Sequence, residues 1–229
     1  MNIKNLLLTL LSLIIIFPVH AQVVFEKTYG GAEYDFGTTV RETPTGEYFI
    51  AGVYSAGTNA GDYYIIKTNK YGDTIWTKKN KSYGATEIYK IQMDVTLDSS
   101  VLFIQNSQSG PDNWNMTVTK INFDGSINWE NEYPNMTHGA NTLSITSDTG
   151  CIITYFDDVF YIKKLDKHGN VHFNVPVTSC LTFSSICEED GYVFGGISME
   201  ESNKFVLTKT DLYGTLLWSK AYSEATLSE

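Results

Sequence analysis

Short apolar runs alternate with polar, turn-forming clusters along almost the whole chain. Tyr63-Tyr64-Ile65-Ile66 leads into Asn69-Lys70-Tyr71-Gly72, and Asp73-Thr74-Ile75-Trp76 leads out. Runs this short, rich in β-branched and aromatic residues and bounded by Asn, Asp and Gly, predict strands. Beyond residue 21 no stretch keeps a helical period.

The same string returns along the chain with its internal spacing unchanged. The pattern K-x-[N/D]-x-x-G-x-x-x-[W/F] occurs as Lys67, Asn69, Gly72, Trp76 and as Lys120, Asn122, Gly125, Trp129. It recurs as Lys164, Asp166, Gly169, Phe173 and as Lys209, Asp211, Gly214, Trp218. The aromatic positions are 53, 44 and 45 residues apart, and Phe25 fills the same column 51 residues before Trp76. Asn or Asp opening a four-residue turn and Gly closing it predict a type I turn, so each motif is a β-hairpin with its aromatic on the outgoing strand. A second hairpin precedes each motif: Thr45-Gly46 before Tyr48, Ser99-Ser100 before Val101, Thr149-Gly150 before Cys151, and Asp190-Gly191 before Tyr192.

Each unit thus reads as four antiparallel strands in about 45 residues, the size of a propeller blade. The expected fold class is all-β, with β-propeller-like tandem four-stranded repeats over residues 22–229. The aromatic column divides them at approximately 25–75, 76–128, 129–172 and 173–217, four full repeats, with a partial fifth at 218–223. Two arrangements fit the count: a closed four-bladed ring, or the front of a longer array, which the start of a new unit favours. Other arrays of four-stranded repeats would share the pattern.

Phe25 to Gly57, FEKTYGGAEYDFGTTVRETPTGEYFIAGVYSAG, resembles the β-propeller repeats of secreted bacterial proteins known as SBBP-like. Those repeats carry an aromatic followed by YGG, then a turn, a strand and an AG pair. The G-x-x-x-W element is also similar to the blade endings of quinoprotein-type propellers, with a turn one residue shorter. The likeness spans Phe25 to Tyr222 and fades along the chain: Tyr29-Gly30-Gly31 becomes Tyr83-Gly84-Ala85 and then Tyr133-Pro134-Asn135. It implies a surface or secreted propeller protein.

The first 21 residues have the parts of a secretory signal: Lys4, the apolar run Leu6 to Phe17, and Val19-His20-Ala21 at the cleavage point. That run has 12 residues, whereas a membrane-spanning helix needs about 20. Cleavage would leave Gln22 first, with 15 basic residues against 26 acids, a net charge of −11. An acidic chain repels phosphate backbones, so nucleic acid is not an expected partner.

No phosphate-binding loop, HExxH pair or calcium loop is present. Gly52-Val53-Tyr54-Ser55-Ala56-Gly57 misses the nucleophile-elbow spacing by one residue. His168 and His172 are four apart, but one falls in a turn and the other on a strand. Cys151, Cys180 and Cys187 allow at most one disulfide and show no metal-binding spacing. The acids Asp157-Asp158, Glu188-Glu189-Asp190 and Glu200-Glu201 read as solvated loop charge. Trp114, outside the aromatic column, reads as a loop aromatic able to stack on a sugar. No catalytic residues, metal ligands or cofactor are expected. The expected function is a secreted or cell-surface binding scaffold for a glycan or protein. The rivals are a quinoprotein-like or carbohydrate-active enzyme and a structural piece of a longer array.

Overall fold

In the first sheet, a computed structural model shows, β1 (Asp35–Glu42), β2 (Tyr48–Tyr54), β3 (Asp62–Thr68) and β4 (Thr74–Asn80) pair antiparallel in chain order. Residues 25–32, 35–54, 62–80, 87–110, 113–177, 180–198 and 204–222 are described. The second sheet is β5 (Glu87–Val95), β6 (Val101–Gly110), β7 (Asn113–Ile121) and β8 (Ile127–Met136). The third is β9 (Ala140–Ile145), β10 (Cys151–Asp157), β11 (Val159–Leu165) and β12 (Val171–Val177). The fourth is β13 (Cys180–Glu188), β14 (Gly191–Ser198), β15 (Phe205–Thr210) and β16 (Leu216–Tyr222). The described residues form no helix, and the four sheets are blades set side by side, as expected for propeller-like repeats.

The motif turns form as their residues require. In the first, Gly72 donates its N–H to the Asn69 carbonyl at 3.0 Å, and the Asn69 side chain accepts from the N–H groups of Tyr71 and Asp73. Asp166 and Asp211 do the same in the third and fourth blades. Each motif glycine has a positive φ, between 80° and 90°. That is the left-handed residue that ends a three-residue hairpin loop in a bulge.

The blades are offset from the sequence repeat. Counting from the aromatic cuts each sheet inside its last strand, because Trp76, Trp129, Phe173 and Trp218 lie on β4, β8, β12 and β16, which close their own sheets. The stretch 218–223, a partial fifth repeat by sequence, falls on the outermost strand of the fourth blade as far as Tyr222. Pairing decides this: β4 follows β3 after the short turn 69–73 and pairs with it along its length, Tyr63 opposite Asn80 through Thr68 opposite Thr74.

The first strands contact one another in the order β1, β5, β9, β13, so each blade starts on the inner side of the array. Three apolar clusters fill the spaces between blades. Phe49 and Ile65 of the first blade meet Met93 and Phe103 of the second. Leu102, Ile104 and Met116 meet Ile153 and Tyr155, and Ile152 and Ile162 meet Phe194 and Val206. Alternate residues of β6 therefore serve two cores, Val101 and Phe103 on one side, Leu102 and Ile104 on the other. That explains the unbroken apolar runs in the middle strands: both faces are covered. The outer blades each keep an open face, with Val40 of β1 55% exposed and Trp218 of β16 43% exposed. Among the described residues, no strand of the first sheet pairs with the fourth, so the array is not closed.

Candidate functional site

Each blade carries an ion pair built from its two hairpins. The motif lysine reaches back to the acid in the turn between the first and second strands. The pairs are Lys67–Glu47 at 3.3 Å, Lys120–Asp98 at 3.0 Å, Lys164–Asp148 at 2.9 Å and Lys209–Asp190 at 2.9 Å. The first three lysine side chains are almost completely buried, while their partners are partly exposed. Asp98 also accepts from the Thr96 hydroxyl and from the N–H of Ser100. Burial alone would raise its pKa, but the hydrogen bonds from Thr96, Lys120 and Ser100 outweigh it and hold the carboxyl down to about 2. Asp148 is likewise lowered: the bonds from Lys164 and Thr146 overcome its burial. For Asp190 the Lys209 ammonium is the main cause of the lowering.

Asp98, Asp148 and Asp190 are thus held in the charged form, each matched to a lysine. A general acid needs a raised pKa, the opposite of the lowering at these three, so the pairs hold turns together. Sequence reasoning left the motif lysine without a role. Its constant two-residue spacing from Asn or Asp was the available signal, but the acid it meets lies 16 to 22 residues earlier, in another turn.

The turn ends of the second, third and fourth blades enclose a groove of about 580 Å³. Val95, Leu97, Ile145 and Leu212 give it apolar walls; the Asp148–Lys164 pair, His172 and Glu189 supply polar groups. It crosses three blades, so no single repeat contains it.

Of the residues singled out from sequence for their chemistry, His172 and Glu189 line this groove and the others described lie elsewhere. His172, on β12, lines it, and His168 sits in the neighbouring turn, where its N–H donates to Asp166. Among the described residues no three His, Cys, Asp or Glu side chains gather as metal ligands would. Glu189 lines the groove and Asp190 pairs with Lys209. Asp157 and Asp158 form the turn between β10 and β11, tied to Thr137 through the Asp157 carboxylate and the Asp158 N–H. Glu200, Glu201 and Ser55 to Gly57 lie outside the described residues, as does the amino-terminal segment 1–24. Trp114, expected on a loop, is instead on β7, opposite Gln108 and Met136, and packs against the core between the second and third blades. The polar residues before it misled the reading, because β7 starts inside that polar stretch. Cys151 is buried in the core between the second and third blades; Cys180 and Cys187 are both on β13.

No family model matches this chain, and no curated protein matches it. Several solved structures do. A Bacteroides caccae protein of unknown function matches with a TM-score of 0.49 and 12% identity, over 82% of this chain and 68% of that one. A chimera of an apocarotenoid oxygenase matches with a TM-score of 0.50 and 12% identity, over 84% of this chain and 51% of its own. A variant of the Synechocystis apocarotenoid oxygenase matches with a TM-score of 0.45 and 12% identity, over 77% of this chain and 46% of its own. These neighbours are all-β, propeller-like folds. At such identities the likeness shows fold alone, and this chain spans about half the length of the chimera.

Proposed function

We propose that this chain is an exported, non-enzymatic binding scaffold, secreted or held at the bacterial surface, which takes a glycan or a protein segment in its turn-end groove. The observation that carries this reading is the groove itself. It is ligand-sized and walled by apolar side chains, and its Asp148 is already neutralised by Lys164. A concave, mostly apolar surface with a few fixed polar groups is the usual form of a binding site. Export rests on residues 1–21, and amino-terminal sequencing of secreted protein should begin at Gln22.

The test is a binding screen of the purified protein on glycan and extracellular-protein panels, repeated with Leu97→Asp and Leu212→Asp. Both leucines are well exposed, at 76% and 42%, so the fold survives these changes. Binding that disappears in both variants supports the groove. Unchanged binding removes it from the reading, and turnover of a glycan in the same assay favours the carbohydrate-active alternative.

A second reading, a structural piece of a longer array, is favoured by Trp218 and Lys220. Trp76 and Lys78, two positions apart in the same way, grip the next blade: the indole donates to the Phe123 carbonyl at 3.2 Å and the ammonium to Gly125 at 3.0 Å. Trp218 and Lys220 sit on the open face of the last described blade. Light scattering that shows self-association, abolished by Trp218→Glu, would support a face made to be covered; a stable monomer would count against it.

A further inference from the structure

Lys163 of β11, next to Lys164 but on the other face of the strand, breaks the repeat. The residue before the motif lysine is Ile66, Thr119 or Thr208 in the other blades, all buried. The two threonines are satisfied across the strand pair, Thr119 by Glu130 and Thr208 by Ser219. Lys163 is only 7% exposed. Its ammonium stands over the Tyr133 ring at 4.0 Å from the centroid and near the Tyr155 ring at 5.4 Å. Ring faces attract a cation but accept poorly from its three N–H donors. Among the described residues no hydrogen bond or ion pair reaches it. Burial lowers its pKa, as expected for a cation whose charge is uncompensated.

The same side chain lines a cavity of about 230 Å³ between the second and third blades. Tyr133, Pro134, Met116, Met136 and Tyr155 form its apolar surfaces, and the acidic residues Glu132 and Asp157 complete the lining, one Asp157 oxygen already accepting from the Thr137 N–H. Neither carboxylate is within ion-pairing distance of Lys163. The Tyr155 hydroxyl is already used, donating to Asn174 at 2.9 Å. The cavity therefore offers a buried cation with open donors, aromatic walls and two acceptor groups.

We propose that this cavity binds one acidic sugar unit, a hexuronate, with its carboxylate on Lys163, its ring against the tyrosines and its hydroxyls donating to Glu132 and Asp157. A neutral sugar would leave the ammonium unmatched, and a simple organic acid would leave both carboxylates without donors. The chain's net charge of −10 disfavours a long polyanion, so the cavity takes a single terminal unit. This site narrows the glycan reading but does not share the groove, so the two fail separately.

The test is calorimetric titration of the purified protein with glucuronate and galacturonate, with glucose and glutamate as comparisons, on wild type, Lys163→Met and Tyr133→Leu. Methionine keeps the length and apolar stem of lysine, and three other blades tolerate an uncharged residue here. Thermal melts confirm that each variant folds. The expected result is saturable uronate binding, at least tenfold weaker in both variants, with no saturation by glucose. No uronate binding to wild type, equal binding to Lys163→Met, or equal binding of glutamate would each overturn the proposal. Uronate binding lost in Leu97→Asp but kept in Lys163→Met would place the sugar in the groove and likewise overturn the proposal.

Discussion

Trp129 of the second blade lies over Gly169 of the third. Its indole N–H donates to the Lys167 carbonyl at 2.9 Å, and a Cβ added to Gly169 would stand 2.8 Å from the ring. Trp76 over Gly125 and Phe173 over Gly214 repeat the contact from one blade to the next, and Phe25, ahead of β1, covers Gly72 in the same way. The motif glycine thus meets two demands at once: a φ of 84° at Gly169, and room for the aromatic ahead of it.

Gly169→Ala should therefore lower stability by at least about 2 kcal/mol, combining a left-handed alanine with a blocked ring. Gly37→Ala, where nothing stands within 4 Å of the added carbon, is the control and should be near neutral. Urea melts read by tryptophan fluorescence give both values, and a red-shifted native emission in the first variant would report the displaced indole.

The turn ion pairs are asymmetric, and so are their expected deletions. Asp148→Ala leaves the buried Lys164 ammonium without its carboxylate, whereas Lys164→Met leaves an acid that water can reach. The first should cost about 2–3 kcal/mol and the second under about 1 kcal/mol, because an unmatched buried charge is the expensive product. Equal costs in chemical denaturation would show that the pair acts by Coulomb attraction alone.

Acid should weaken the protein through Asp98. Its folded pKa, about 2, is below the unfolded value near 3.9, so the unfolded chain binds the proton first as pH falls. The stabilisation is complete above about pH 4 and is lost as pH drops towards 2. Asp98→Asn should be less stable at pH 7 and show a flatter acid limb between pH 4 and pH 2. A limb as steep as wild type would place the acid sensitivity in other carboxylates.

Thr149 has a φ of 60°, a strained value for a β-branched residue. Gly46 holds the matching place in the first blade with a φ of 82°. Thr149→Gly should raise stability by about 0.5–1 kcal/mol, the relief of strain exceeding the added freedom of the unfolded chain. An unchanged or lower thermal midpoint would show that the turn holds threonine without strain.

Local chemistry made the strands and turns legible. Asn69 and Gly72 close a hairpin through bonds spanning four residues, so the four copies of the motif could be read without knowing what they touch. The sheet boundaries, the place of Trp114 on β7 and the role of Lys120 were not readable in the same way, since each depends on a partner on another strand or in another turn. Lys163 shows this most clearly: in the chain it is one lysine beside another, Lys164, yet one is matched by Asp148 and the other faces a cavity.

By itself, the sequence determined the all-β class, the four-strand unit and the hairpins that repeat it, because those follow from side-chain alternation and from turns closed within a few residues. Only the tertiary structure decided which sheet each aromatic strand joins, that the array stays open, and where a groove and a cavity form between blades. Those features arise from contacts between residues far apart in the chain, where packing and burial select among arrangements that local preference leaves equal.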